Sequence, residues 1–323
     1  MPPAFHLWGP FAGIRSGTRL NTQQHSYEET FGRFRRHAER VRRCVRWVSR
    51  GFTGVPHQIL VEVRWRLGDE IMAIPMYEAI KTRWPGAYLH VLCNYPDLLD
   101  GNPFVDSVNS PPERPDCYWL LRGAPRTVNR LTHYARVVDI PRPSTLPTMY
   151  FTDSQEDLLP DVERPLVAVA RGASWATKRW PLDKWFALCS ALVDEGVNIV
   201  ELGVAGEEIG VGHSLTGTTS VRDAACVLRR CDLLICSDSG LMHLALASGT
   251  PVLAIFGPTT PEILIENNPL LHVIENGRPC FGCWNRSLAM RKEGECPLGI
   301  PECLDTIRAD SVVRQALSLL RRA

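Results

Sequence analysis

The chain has 323 residues, 45% of them hydrophobic and 22% charged, with a formal net charge of +1. That balance excludes a polyanion binder acting through bulk charge, so no nucleic-acid partner is expected. The length suits two domains with separate cores, and no apolar run is long enough for a membrane span.

Residues 1–27 are polar and without a clear period, and Met1 to Arg19 has no basic head followed by an apolar core, so no signal peptide and a cytoplasmic protein are expected. Between Phe31 and Arg50 eight arginines face a single acid, Glu39. Phe34, Val41, Val45 and Val48 share part of one helical face, which predicts a short basic amphipathic helix within an N-terminal arm, 1–57. Three roles stand open for it: a helix packed on the body, a peripheral contact with an anionic membrane on its inner face, or a homo-oligomer contact.

From Ile59 the texture becomes alternating. Strands are predicted at Ile59–Val63, Leu89–Cys93, Val105–Val108 and Tyr118–Leu121. A helix is expected from Asp69, which Pro75 interrupts, and another over Thr127–Val138. Pro141, Pro143, Pro147, Pro160 and Pro165 mark a segment between domains. A second βα series follows, with strands at Leu166–Ala170, Asn198–Leu202, Leu233–Cys236 and Val252–Phe256. Its helices are expected at Leu182–Asp194, Val221–Arg229, Gly240–Ser248 and Ser311–Leu320. The pattern is α/β, with two Rossmann-like halves at 58–160 and 161–323, and a ligand cleft where their strand ends face each other.

Four strand-end segments carry candidate chemistry. After the first strand, Asp69 is placed either as a general base or as a helix N-cap, Gly68 leaves room for an acceptor, and Arg64 and Arg66 suit an anionic one. In the second half, Gly172-Ala173-Ser174 and Lys178 suit a phosphate group, or a plain loop with a surface lysine. Asp238-Ser239-Gly240 opens a helix whose N-terminus favours a diphosphate, with His243 one turn on. The alternative there is simple capping beside a core histidine. Thr259 and Thr260 add hydroxyls, or belong to a rigid turn.

Together these segments resemble the ADP-heptose:lipopolysaccharide heptosyltransferases, glycosyltransferase family 9. The likeness rests on Leu67-Gly68-Asp69 with Pro75, on Gly101 to Asp106, and on Gly172-Ala-Ser-x-x-x-Lys178-x-Trp-Pro181. It rests also on Asp238-Ser-Gly-x-x-His243-x-Ala245, Gly249-Thr-Pro251 and Phe256-Gly-Pro-Thr259, in that order. The resemblance implies a GT-B fold and an inverting, metal-independent transfer of heptose or a related sugar from a nucleotide-sugar, ADP-heptose first. The acceptor would be a hydroxyl of a saccharide, lipid-linked or protein partner. It implies Asp69 as the base, and Ser174, Lys178, Asp238, Ser239, Gly240, His243 and Thr259 around the donor, with Glu207 or Glu208 (Glu207 preferred) at the ribose. A non-catalytic sugar-nucleotide-binding or assembly protein is the alternative. Arg171, in place of a common family proline, and Trp65 depart from the pattern.

In a chain expected to stay unexported, eleven cysteines point to thiols or a metal rather than a disulfide framework. Cys280, Cys283, Cys296 and Cys303 form a C-x2-C-x12-C-x6-C pattern, which suits a closed structural zinc or iron site. Free thiols and disulfides are the alternatives. The resemblance adds that some protein-modifying autotransporter heptosyltransferases carry a related iron-binding finger.

Overall fold

A computed structural model describes residues 54–322 apart from 152–157, 160–161, 266, 287–291 and 293. The basic segment Phe31–Arg50 lies outside the described residues, as does nearly all of the arm.

The first sheet contains β1 (Gln58–Glu62), β2 (Tyr88–Leu92), β3 (Ser107–Val108) and β4 (Cys117–Leu120). All pair in parallel, in the order β3-β2-β1-β4. Alternate residues point to opposite faces, so Ile59, Val61, Leu89 and Val91 share one side and are fully buried. They belong to one apolar cluster with Met76, Tyr77, Ile80, Leu131 and Tyr134. Those partners come from α2 (Ile74–Arg83) and α3 (Arg130–Val138).

The single helix expected from Asp69 is corrected. Two helices occupy that stretch, α1 (Leu67–Ile71) and then α2. Pro75 sits in the first turn of α2, where its missing N–H would have no helical acceptor anyway. It begins a helix instead of interrupting one. The next helix starts at Arg130, later than expected, because the Asn129 side chain caps it by accepting from the N–H groups of Leu131 and Thr132.

The second sheet holds β5 (Leu166–Ala170), β6 (Asn198–Glu201), β7 (His213–Ser214), β8 (Leu233–Ser237), β9 (Val252–Ile255) and β10 (Leu271–Ile274). It too is fully parallel, in the order β10-β9-β8-β5-β6-β7. Every residue of β5 and β8 is buried, as a parallel strand covered on both faces requires. Its helices are α4 (Leu182–Asp194), α5 (Val221–Arg230), α6 (Gly240–Ala247), α7 (Pro261–Leu264), α8 (Glu302–Asp305) and α9 (Ala309–Leu320). Trp185, Leu188 and Leu192 of α4 cluster with Val312 and Ala316 of α9 under one face.

Strand order reverses between β1 and β4 in one sheet, and between β5 and β8 in the other. Ligand crevices form at such switch points, beyond the strand ends. The two ends meet here. A Cβ on Gly240 would lie 2.9 Å from the Leu67 Cδ2, so only glycine lets α6 approach α1 this closely. Among the described residues, no helix is long and apolar enough to cross a membrane.

Candidate active site

Asp69 stands in the first turn of α1, as its third residue. The N-cap reading is corrected: the cap position is Arg66, and it makes no side-chain cap bond. The Asp69 carboxylate instead meets Arg130 of α3, Nε to Oδ1 at 2.8 Å. Burial pushes this carboxyl up, against the opposing charges of Arg130, Arg66 and Lys178. The neighbouring Glu70 accepts from three backbone N–H groups, of Trp65 at 3.2 Å, Asn94 at 2.9 Å and Tyr95 at 3.0 Å. It clips the loop before α1 to the end of β2, and so fixes the segment that carries Asp69. Neither Arg130 nor Glu70 announces this from local sequence, because each acts on a partner that only the fold supplies.

The opposite wall comes from the ends of β5, β8 and β9. Lys178 Nζ lies 2.6 Å from Asp238 Oδ2. The Thr259 hydroxyl donates to that same oxygen at 2.5 Å, so its direct work is to hold Asp238. Burial alone would raise the Asp238 carboxyl, but the Lys178 ammonium and the Thr259 hydroxyl outweigh it and hold it low. The Ser239 hydroxyl oxygen, beside the α6 N-terminus, is buried and has no partner among the described residues. His243 lies on the first turn of α6, buried, its imidazole pushed down to about 4 by that burial. A Cβ on Gly68 would lie 2.6 Å from its ring, so Gly68 opens space for His243 as well as the cleft.

These groups line one cleft of ≈ 210 Å³. Arg66, Asp69, Ser174, Lys178, Asp238, Ser239, Gly240, His243 and Thr259 all contribute to its wall. Arg66 also reaches the Ser174 hydroxyl, at 3.5 Å, across the two halves. Arg64 stands apart from this lining, and its charge acts on the Cys93 thiol.

Glu207 lies on the far side of the Gly172 loop. A Cβ on Gly172 would fall 2.0 Å from its Oε2, so the carboxylate rests directly on that glycine. Burial pushes the Glu207 carboxyl up. Arg171 is half-buried and lies outside the cleft lining. Its guanidinium donates to the carbonyls of Gly206 at 2.6 Å and Glu207 at 2.8 Å, and so shapes the loop that carries Glu207. Glu208 turns the other way, accepting from the Thr216 hydroxyl at 2.9 Å.

The cysteine-bearing segment forms a third wall. Trp284 lies edge-on to Trp175, with centroids 4.9 Å apart, and the Arg126 guanidinium stacks over it at 3.4 Å. Asn285 is buried, accepts from Thr260 N at 3.0 Å and donates to Arg126 O at 2.6 Å. All four cysteines line one small apolar cavity of ≈ 20 Å³ with Pro297, Leu298 and Pro301. Burial, then the neighbouring thiols, push Cys303 up to about 11. Four sulfurs around one cavity are the right donor set for a soft tetrahedral ion. As the side chains stand, no three Cys, His, Asp or Glu groups among the described residues are arranged to hold one.

The model of glycosyltransferase family 9 (heptosyltransferase) matches residues 127–292, just over half of the chain. Lipopolysaccharide heptosyltransferase 2 of Salmonella typhimurium is 30% identical over 154 residues, 42% of this chain and 43% of that protein. Lipopolysaccharide heptosyltransferase 2 of Escherichia coli K12 is 27% identical over 221 residues, 62% of this chain and 59% of that protein. The chain thus spans about half the length of these curated relatives. The fold is similar to that of TibC, an iron-containing dodecameric glycosyltransferase of enterotoxigenic E. coli H10407, with TM-score 0.68 and 17% identity over 82% of this chain and 76% of that one. On the family match and the cleft between its two parallel sheets, this chain belongs to glycosyltransferase family 9.

Proposed function

We propose that the protein transfers a heptose, or a closely related sugar, from a nucleotide-sugar to an acceptor hydroxyl, inverting the anomeric centre without a catalytic metal. One observation carries the reading: Asp69 from one half and Lys178, Ser239 and the α6 N-terminus from the other line a single cleft. ADP-heptose is the proposed donor. The family match supports it, as does the structure of TibC that holds ADP-D-beta-D-heptose.

In this reaction the acceptor oxygen attacks the anomeric carbon, and the bond from that carbon to the diphosphate oxygen breaks. Asp69 takes the acceptor proton. Negative charge grows on the leaving diphosphate, where the Lys178 ammonium, the Ser239 hydroxyl and the α6 N–H groups meet it. Glu207 holds the ribose, and Gly172 lets the nucleoside approach. His243 stays neutral, so it adds no charge of its own to the site. Arg66, and Arg64 beyond it, face an anionic saccharide or protein acceptor.

The halves divide near residue 160, with the arm before residue 58 as a separate piece. Cys280, Cys283, Cys296 and Cys303 hold zinc or iron, which supplies stability to a segment with little apolar content of its own. Self-association is proposed on the strength of TibC, described as dodecameric.

The test is Asp69→Asn, assayed for sugar transfer from ADP-heptose with donor affinity measured separately. Turnover is expected to fall about 100-fold or more, while donor affinity stays within about twofold. Full turnover in Asp69→Asn would remove the base assignment. Donor binding by the wild type without any transfer would favour a binding protein.

A further inference from the structure

We propose that Arg130 is the positioning residue of the Asp69 carboxylate, engaging Oδ1 so that Oδ2 receives the acceptor proton, and that Asn129 registers this pair to the donor half. The inference rests on the reading of Asp69 as the base.

The geometry is specific. Arg130 is the first residue of α3, and its Nε lies 2.8 Å from Asp69 Oδ1. A guanidinium presents donors in a fixed plane, so this contact sets the direction of the carboxylate as well as its charge. The arginine starts from a rigid seat. Asn129 accepts from Leu131 N at 3.0 Å and Thr132 N at 3.3 Å, which fixes the helix start. The same side chain donates across the cleft to the carbonyls of Glu262 at 3.3 Å and Ile263 at 3.4 Å, in α7. That helix begins two residues after Thr259, whose hydroxyl holds Asp238 against Lys178. The acceptor-side base and the donor-side cation are therefore linked by a short chain of contacts through residues 129 and 130.

Other charged and titratable groups also face Asp69. Arg66 approaches from the preceding loop, Lys178 from the facing half and Glu70 from the same helix. The Tyr134 hydroxyl reaches the Asp69 carbonyl, and His243 packs on Gly68. Removing Arg130 leaves all of these in place, so its own share is measurable. Loss of its positive charge makes the carboxylate easier to protonate, and the acid limb of the activity profile must move to higher pH.

The experiment compares Arg130→Gln and Arg130→Lys with the wild type, measuring kcat/KM for transfer against pH, and donor Kd by titration. Arg130→Gln is expected to lose about tenfold or more in kcat at neutral pH. Its acid limb should rise by about one pH unit or more, with donor Kd within about twofold. Arg130→Lys keeps the charge and should return the limb to near its wild-type position, with partial recovery of rate. An Arg130→Gln profile lowered by the same factor at every pH, with its limb unmoved, overturns the proposal and leaves Arg130 a packing role. If Asp69→Asn itself turns over normally, the base assignment has failed, whatever Arg130 does.

Discussion

The Lys178 ammonium and the Thr259 hydroxyl converge on one oxygen of Asp238, at 2.6 Å and 2.5 Å. Asp238 looks out of place beside a proposed diphosphate, yet the pairing explains it. It holds a mobile lysine head in position at the cleft wall, and its own charge is satisfied by two donors.

Because the pair is buried, removing one member leaves the other uncompensated. Lys178→Ala is expected to cost about 3 kcal/mol of stability. It should also weaken donor binding about tenfold or more, since the charge that meets the diphosphate is gone. Lys178→Met combined with Asp238→Asn should recover most of the melting temperature and none of the donor affinity. Thermal denaturation and titration calorimetry separate the two effects. A double variant that regains donor affinity would remove Lys178 from the donor site.

Gly172 and Glu207 form a second dependent pair. Alanine at 172 would place its Cβ 2.0 Å from the Glu207 carboxylate, a flexible group that moves away at small cost to stability. Nucleotide affinity should therefore drop in Gly172→Ala by about as much as in Glu207→Ala. The double variant should be no weaker than either single one. Additive losses would separate Gly172 from Glu207.

Two buried groups set opposing pH trends. His243 titrates near 4 in the folded protein, below its ordinary 6.5, so the unfolded chain binds the extra proton between these values. Its contribution to stability is complete above 6.5 and is lost as pH falls toward 4. Glu70 is pushed by burial to about 7 from 4.5, so its contribution is complete below 4.5 and is lost as pH rises toward 7. Over the shared window of about 4.5 to 6.5 the two slopes largely offset, each being about 1.4 kcal/mol per pH unit at most. Relative to wild type, His243→Gln should make stability decline with rising pH, and Glu70→Gln should make it climb. Urea midpoints across that window check both signs.

For the cysteine segment, protein purified without chelator is expected to carry close to one zinc or iron per chain by elemental analysis. Cys283→Ser should lose the metal and lower the melting temperature. Metal-free wild-type protein with four titratable thiols and an unchanged melting temperature would reject the site.

Much of this was legible from residue order, and the limits have physical causes. β5 and α4 fall on their expected bounds, because a fully apolar run and a proline-started helix are strong local signals. β7 and β10 were not anticipated. The first is two exposed residues, and the second lies half-buried at the sheet edge, so neither shows the apolar run of a central strand. The proline of α2 misled because the same residue marks both a break and a beginning. Ser174, Lys178, Asp238 and His243 are singled out by their strand-end settings, and all four line the cleft. Arg130, Glu70 and Asn285 were not, since their meaning lies in partners 24 to 159 positions away.

Asn285 bonds one half of the molecule through Thr260 and the other through Arg126, at the side of the cleft. That amide ties the halves together on the cysteine side, as Arg66 with Ser174 and Asn129 with the carbonyls of α7 tie them elsewhere. A rearrangement of the cysteine segment would therefore be felt directly at Arg126, on the opposite half, through a single side chain.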